Sequence, residues 1–155
     1  MEIRRASIAD AEAISRLVRG LSDSFFQSPG GAGAEPFFAS TTPSAIAKNL
    51  AAANFDCVVA AEGDALVGYV ALRDGRHLYH LFVASGHQGR GLARMLWDIV
   101  RRRAQESGNP GEFTVNASMN AVPVYERFGF KATSEIVRSH GLVYLPMRLS
   151  REAVP

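Results

Sequence analysis

The sequence predicts a single α/β domain in which a mixed sheet of six or seven strands is flanked by about four helices on both faces. Segments with apolar residues at helical spacing alternate with short β-branched strands, in the order β-α-α-β-β-β-α-β-α-β-β. The chain has 155 residues and 47% of them are hydrophobic, which suits one domain with a substantial core. No repeat or linker divides residues 1–155.

The first part of the chain contains two predicted helices and a long segment between them without periodicity. A short strand, Glu2–Arg5, precedes a helix over residues 10–20, and a second helix is predicted over 44–53. The segment 22–43 is rich in glycine and proline and carries two Phe-Phe pairs. A loop of this length is often functional, so segment 22–43 is our candidate for ligand recognition. The alternative is that its phenylalanines are ordinary core.

Three consecutive strands follow as a meander. They are predicted over Phe55–Glu62, Ala65–Arg73 and 76–83, with Gly63-Asp64 and Asp74-Gly75 as turns. Strict alternation in the third strand places His80 on the same face as Leu78 and Phe82, opposite His77, although a bulge would reverse that arrangement.

The last part of the chain alternates between helix and strand. The remaining elements are a helix over 92–105, a strand over 112–116, a helix over 121–128 and two final strands over 131–138 and Leu142–Leu149. Asn120 is expected to cap the second of these helices, and Gly129 to end it.

Composition limits the function classes. The formal net charge is only +2, and the densest basic run, at 101–103, falls late in a predicted helix, where cations favour the helix C-terminus. A nucleic-acid surface would need a broader basic stripe with aromatics. No apolar run is long enough to cross a bilayer, and the N-terminus lacks a secretory signal. Cys57 is the only cysteine, which excludes an internal disulfide and a cysteine metal cluster. We therefore expect a cytoplasmic protein without a metal, and a buried, inert Cys57 thiol.

A glycine loop opens the helix over 92–105. Backbone N–H groups at a helix N-terminus can hold an anion, and Gly89 and Gly91 let the backbone approach phosphate oxygens closely. Arg90 and Arg94 add charge that could pair with phosphates. The spacing Gly86-x-x-Gly89-x-Gly91 matches neither the P-loop nor the dinucleotide fingerprint. Taken alone, the same loop could also start a helix and bind nothing.

The neighbouring motifs give this loop a context. Gln88-Gly89-Arg90-Gly91-Leu92-Ala93 resembles the acetyl-CoA signature Q/R-x-x-G-x-G/A of the GNAT superfamily of N-acetyltransferases. Leu81-Phe82-Val83 resembles the family's L-x-V strand end, whose splayed backbone binds the pantetheine arm. Asn116-Ala117-Ser118 and the stretch from Ala121 to Phe130 look like the segment N-x-S…A-x-x-x-Y-x-x-x-G-F. The resemblance covers essentially the whole chain and implies the GNAT fold.

The resemblance also implies roles for individual residues. The implied contacts to coenzyme A are Leu81, Phe82, Val83, Gln88, Gly89, Arg90, Gly91, Leu92, Ala93, Arg94, Asn116, Ser118 and Tyr125. Tyr125 matches the family tyrosine near the sulfur, and a phenol with a pKa of about 10 is protonated at neutral pH and can donate. Backbone N–H groups at Phe82 or Val83 would hold the oxyanion. Structural alternatives remain: Tyr125 could pack its helix, and Asn116 and Ser118 could terminate the strand.

The general base is less clearly indicated. Many family members place a glutamate on the strand before the cofactor loop, and this strand has no carboxylate. His77 and His80 are the available substitutes, since a histidine titrates near neutral pH. We assign the base to His80, with His77 or a water chain as the alternatives, and a purely structural histidine fits the sequence equally well.

These features together predict an acetyl-CoA-dependent N-acetyltransferase that works by direct attack of the amine in a ternary complex. The acceptor would be a small-molecule or peptide amine that the sequence does not identify. Neither nucleic acid nor a membrane is an expected partner, and a homodimer is left open. Two alternatives are a catalytically silent acyl-CoA sensor on the same fold and a nucleotide- or phosphate-binding module outside the family.

Overall fold

The computed structural model describes residues 1–151 and has eight strands and five α-helices in that range. The strands are Glu2–Arg5 (β1), Phe55–Glu62 (β2), Ala65–Arg73 (β3), His77–Val83 (β4), Phe113–Ala117 (β5), Lys131–Ala132 (β6), Val137–Ser139 (β7) and Leu142–Leu149 (β8). The helices are Ala11–Gly20 (α1), Glu35–Ser40 (α2), Pro43–Ala51 (α3), Leu92–Glu106 (α4) and Val122–Phe128 (α5). The predicted mixed α/β architecture is confirmed, with one more strand and one more helix than expected.

A single open sheet positions every other element. Its strand order is β1-β2-β3-β4-β5-β8-β6, with β7 paired to β8 off this path. Only β4 and β5 are parallel, and the other paired strands are antiparallel. A parallel pair needs a long crossover connection, which α4 supplies between these two strands.

Each face of the sheet carries its own apolar cluster. On one face, here called the α4 face, Leu96, Trp97 and Val100 of α4 pack against the strands. On the opposite α1 face, Ile14 of α1 and Ile46 of α3 do the same. Alternate residues of β2 serve the two clusters, because successive side chains of a strand point to opposite faces. No helix among residues 1–151 is both long and apolar enough to cross a membrane.

The prediction of one continuous strand over 131–138 is wrong, because this part of the chain forms two separate short strands, β6 and β7. Their shared partner β8 contains Pro146, which has no N–H to donate to a ladder. Thr133 donates its backbone N–H to the Pro146 carbonyl at 3.0 Å, and regular pairing resumes at Val137 opposite Tyr144.

Asn120 does not cap α5 as predicted. The N-cap position is Ala121, and Asn120 lies in the preceding 3-10 turn. Its Oδ1 instead accepts hydrogen bonds from the hydroxyls of Ser118 and Ser24, each at 2.8 Å. The side chain therefore ties the second motif to segment 22–43.

Segment 22–43 is more ordered than its sequence suggested, since it contains α2 and two 3-10 turns. The turn between β7 and β8 anchors it: the Gln27 backbone N–H donates to the Gly141 carbonyl at 2.9 Å. A Cβ on Gly141 would lie 2.5 Å from the carbonyl carbon of Gly33. The backbones at these two residues therefore approach each other so closely that only glycine fits at position 141. Phe25 and Phe37 pack against the α1 face.

Candidate active site

The parallel strands β4 and β5 separate soon after they begin to pair. Only two residue pairs join them, His77 with Thr114 and Leu78 with Val115. Beyond this point β4 runs on to Val83 without β5 beside it, so one edge of its backbone has no strand partner. The open β4 edge matches the splay that the motif Leu81-Phe82-Val83 implied.

A β-bulge in β4 lies at the point of separation. The register between β3 and β4 shifts here, because Leu72 pairs with Leu78 and Ala71 pairs with His80. Tyr79 is thus the extra residue, and a bulge bends its strand and increases its twist. The bulge accounts for the way in which β4 turns away from β5.

A cavity of about 770 Å³ occupies the opening. The residues predicted for the site line it, except Arg90, which is exposed outside it, and His77, the alternative base. Lining residues that the sequence analysis did not propose include Leu21, Phe25, Tyr79, Asn120, Val124 and Arg127. Phe25 had a signal, because it belongs to segment 22–43. Leu21 had none, since only the tertiary fold brings the end of α1 to this opening.

The start of α4 presents unpaired backbone donors to the cavity. The N–H groups from Gly91 to Arg94 have no protein acceptor in the described part of the chain, as expected for the first turn of a helix. Gly91 has φ +81°, and no atom lies within 4 Å of the place where its Cβ would be. This arrangement favours an anion, because donors, helix dipole and open space coincide.

Gln88 and Arg94, two side chains at this loop, make their contacts within the protein. Gln88 donates its side-chain amide to the Val83 carbonyl at 2.9 Å, which fixes the loop against the end of β4. Arg94 donates to the Arg127 carbonyl at 3.0 Å and lies 4.8 Å above the Phe128 ring. Arg94 therefore braces α4 against α5 while it lines the cavity.

Tyr125 of α5 is one of the residues that line the cavity. Its side chain is 5% exposed and packs edge-on against Phe128 and Phe130. No hydrogen bond to its hydroxyl occurs among residues 1–151. Burial raises the pKa of the phenol above its ordinary value, so the group is a proton donor and not a base at neutral pH. Asn116 and Ser118 also line the cavity.

His80 lies in an aromatic environment on the α1 face. The prediction that it shares a face with Leu78 is wrong, since the bulge places His80 with Phe82 and moves Leu78 to the α4 face. The imidazole is 9% exposed, its ring centroid lies 4.4 Å from that of Tyr79, and its Nδ1 has no protein partner. Burial lowers the pKa of His80 to about 3, so the ring is neutral near pH 7.

The other candidates for the base are placed differently. His77 does not line the cavity, and its Nδ1 lies 2.8 Å from the Thr114 hydroxyl, where β4 and β5 pair. Burial and the nearby Arg73 lower the pKa of His77.

Cys57 is buried in the α1-face cluster, and burial raises the pKa of its thiol to about 11, which agrees with the expected inert thiol.

Burial of His80 predicts a loss of stability in mild acid. Between pH 6.5 and about 3 the unfolded chain binds a proton on this imidazole that the folded chain does not, so folding weakens as the pH falls through this range. When the pH is lowered from about 7 to about 4.5, the unfolding free energy of His80→Gln should fall by roughly 2 to 3 kcal/mol less than that of the wild type. Urea denaturation at both pH values measures this difference. His140→Gln, which changes an exposed imidazole, is the control, and equal losses in wild type and His80→Gln would contradict the prediction.

Comparison with known proteins assigns the chain to a family. Residues 25–151 match the family model of the acetyltransferase (GNAT) domain, and the chain belongs to this family. A GCN5-related N-acetyltransferase from Rhodopseudomonas palustris has a similar structure, with a TM-score of 0.76, 22% identity and coverage of 96% of this chain and 94% of the other.

Two further solved structures share the fold. The PaiA N-acetyltransferase from Thermoplasma acidophilum, in complex with coenzyme A, gives a TM-score of 0.75 at 16% identity over 95% of this chain and 96% of the other. An aminoglycoside 6'-N-acetyltransferase complexed with coenzyme A gives a TM-score of 0.69 at 12% identity, over 100% of this chain and 98% of the other.

Proposed function

We propose that this chain is an acetyl-CoA-dependent N-acetyltransferase that transfers an acetyl group to a primary amine by direct attack in a ternary complex. One observation carries the proposal: unpaired N–H groups at the start of α4 and the buried phenol of Tyr125 line one cavity, where β4 and β5 diverge. Membership of the acetyltransferase family supports acyl transfer. The coenzyme A in the PaiA and aminoglycoside acetyltransferase structures supports the choice of donor.

The residues present fit coenzyme A. The N–H groups from Gly91 to Arg94 would hold the pyrophosphate, and the absence of a Cβ on Gly91 leaves room for its oxygens. The open edge of β4 offers backbone groups to the amides of the extended pantetheine arm, and Asn116 lines the same cavity. When bound, the thioester supplies an activated acetyl group.

Three demands of the reaction would fall on this chain's own groups. Tyr125 would donate its phenolic proton to the departing sulfur. Backbone N–H at Phe82 or Val83 would stabilise negative charge on the acetyl oxygen. His80 would accept a hydrogen bond from the amine at Nε2, the ring nitrogen that is not fully buried. Its low pKa favours hydrogen-bond acceptance over lasting protonation, so a water would take up the proton that the amine loses.

Several further expectations stay predictions. We expect a cytoplasmic enzyme that needs no metal ion, and a homodimer is left open. No group of three or more potential metal ligands occurs in residues 1–151. The acceptor is proposed to be a small-molecule or peptide amine.

Turnover with a panel of amines tests the proposal. Acetyl-CoA and the protein should release free thiol at a rate that depends on the added amine, and mass spectrometry should identify the acetylated product. The only cysteine is buried, so a thiol-reactive dye should report coenzyme A with little background. Binding of acetyl-CoA without amine-dependent release would instead indicate a silent acyl-CoA sensor. Tighter binding of ATP than of coenzyme A would contradict the proposed cofactor.

A further inference from the structure

The cavity passes through the sheet and has two chemically different ends. One group of its lining residues belongs to the α4-face cluster, including Leu92, Val115 and Tyr125. Another group, including Phe82 and Tyr79, belongs to the α1-face cluster on the opposite side. A cavity can reach both faces only because β4 and β5 diverge. The end on the α4 face holds the phosphate-binding N–H groups, so the end on the α1 face is left for a second ligand.

The end on the α1 face, here called the aromatic end, is formed by Leu21, Phe25, Tyr79, His80 and Phe82. Their rings are in mutual contact: centroids lie 6.5 Å apart for Phe25 and Phe82, 5.6 Å for His80 and Phe82, and 4.4 Å for Tyr79 and His80. The ring of Phe37 also packs against Phe25, with 6.4 Å between the ring centroids. Such a wall offers flat apolar surface to a ligand, and aromatic rings pack well against it.

The charges around the cavity are unsuited to a ligand with several cationic groups. None of the described residues that line the cavity is an aspartate or a glutamate. Within residues 1–151, the carboxylate that forms a hydrogen bond or ion pair with a lining side chain is that of Glu62, on His87 of the loop before α4. The charged lining side chains, Arg94 and Arg127, are cationic. A second ammonium group would therefore lose its hydration without gaining a counter-charge.

His80 provides the aromatic end with one polar anchor. His80 is 9% exposed; its Nδ1 is fully buried without a protein partner, and Nε2 is the ring nitrogen that is not fully buried and can face the cavity. A neutral imidazole nitrogen can accept one hydrogen bond, which a single amine N–H satisfies. The geometry thus matches one amine attached to an apolar body.

We propose that the acceptor is a small aromatic monoamine whose ring packs against Phe25 and Phe82 and whose nitrogen meets His80. This inference rests on the proposed transferase function. The cavity of about 770 Å³ must also hold the thioester end of the donor, so the part of the acceptor that enters it has to be small.

A matched set of amines tests the acceptor class. With acetyl-CoA at saturation, kcat/KM for 2-phenylethylamine should exceed that for putrescine and for kanamycin at least about tenfold, which corresponds to a difference of about 1.4 kcal/mol. An equal or higher value for either polycation overturns the aromatic monoamine but leaves the acetyltransferase standing. If no amine is acetylated, the proposed function fails. Calorimetric binding to the coenzyme A complex then decides the inference, which stands if 2-phenylethylamine binds more tightly than putrescine and falls if it does not.

A pair of neighbouring variants locates the ring contact. Phe25→Ala should raise KM for 2-phenylethylamine about tenfold or more and leave the KM for acetyl-CoA near its wild-type value. Phe26→Ala is the control, because Phe26 is half-buried beside Phe37 and Phe38 but does not line the cavity. Phe25→Leu, which keeps most of the apolar volume, serves if the alanine variant does not fold, and its KM should rise less. Equal KM values for the wild type and both Phe25 variants would overturn the assignment of the aromatic end.

Discussion

Replacing Gly91 with valine is expected to weaken coenzyme A binding at least about 100-fold while the protein stays folded. Gly91 has φ +81°, a conformation that costs a β-branched residue roughly 1 to 2 kcal/mol. Nothing in the protein lies within 4 Å of the added Cβ, so the new side chain would occupy the space in front of the free N–H groups instead of the core. Isothermal titration with coenzyme A measures the loss, and circular dichroism confirms the fold.

Gly86→Ala is the matched control for this loop. Gly86 lies in the same connection between β4 and α4, has no positive φ and does not line the cavity. Its alanine variant should bind coenzyme A as the wild type does. If Gly91→Val bound equally well, the pyrophosphate would have to lie elsewhere, and the phosphate-loop assignment would be wrong.

Removing the Tyr125 hydroxyl should reduce turnover and spare cofactor affinity. A general acid contributes typically 10² to 10⁴ in rate, so Tyr125→Phe should lower kcat by roughly 10²-fold or more. The ring contacts with Phe128 and Phe130 do not involve the hydroxyl, so the variant should keep its fold and a Kd for coenzyme A near the wild-type value. Steady-state kinetics and calorimetry on the same preparation separate the two quantities.

Tyr144→Phe provides the comparison for Tyr125. Tyr144 is a half-buried tyrosine of β8 that does not line the cavity, and its variant should retain wild-type kcat. An unchanged kcat in Tyr125→Phe would mean that solvent protonates the leaving group, and Tyr125 would then have only the packing role that its burial also explains.

The elements that local sequence determines could be predicted well. The meander from Phe55 to Val83 follows from β-branched runs between Gly-Asp and Asp-Gly turns, and the bounds of β2 and β3 agree with the structure. The stretch from Gln88 to Arg94 was assigned from its glycines and the motifs around it, and all of it except Arg90 lines the cavity. Short-range chemistry determines such features, because turns and helix starts depend on few neighbouring residues.

The features that depend on tertiary pairing could not be predicted in the same way. Nothing in the sequence around Tyr79 identifies it as the bulged residue, and that one residue decides which face His80 occupies. The interruption opposite Pro146 required knowing which strands pair with β8. Leu21 and Phe25 reach the cavity only through the packing of α1 and segment 22–43 on the sheet.

The way in which the two ends of the cavity are assembled affects how such a protein can diverge. The end on the α4 face is built from one continuous stretch, from β4 through α5, whereas the aromatic end also includes Leu21 and Phe25 from the N-terminal third of the chain. Segment 22–43 is held by discrete anchors, at Asn120 and at the Gly33–Gly141 approach. Under the proposed assignment, mutations within the segment would reshape the aromatic end, while the N–H groups from Gly91 to Arg94 lie in a different part of the chain. Cofactor binding and acceptor specificity would then change independently during evolution, so duplicated copies could acquire new acceptors while they keep the same acetyl donor.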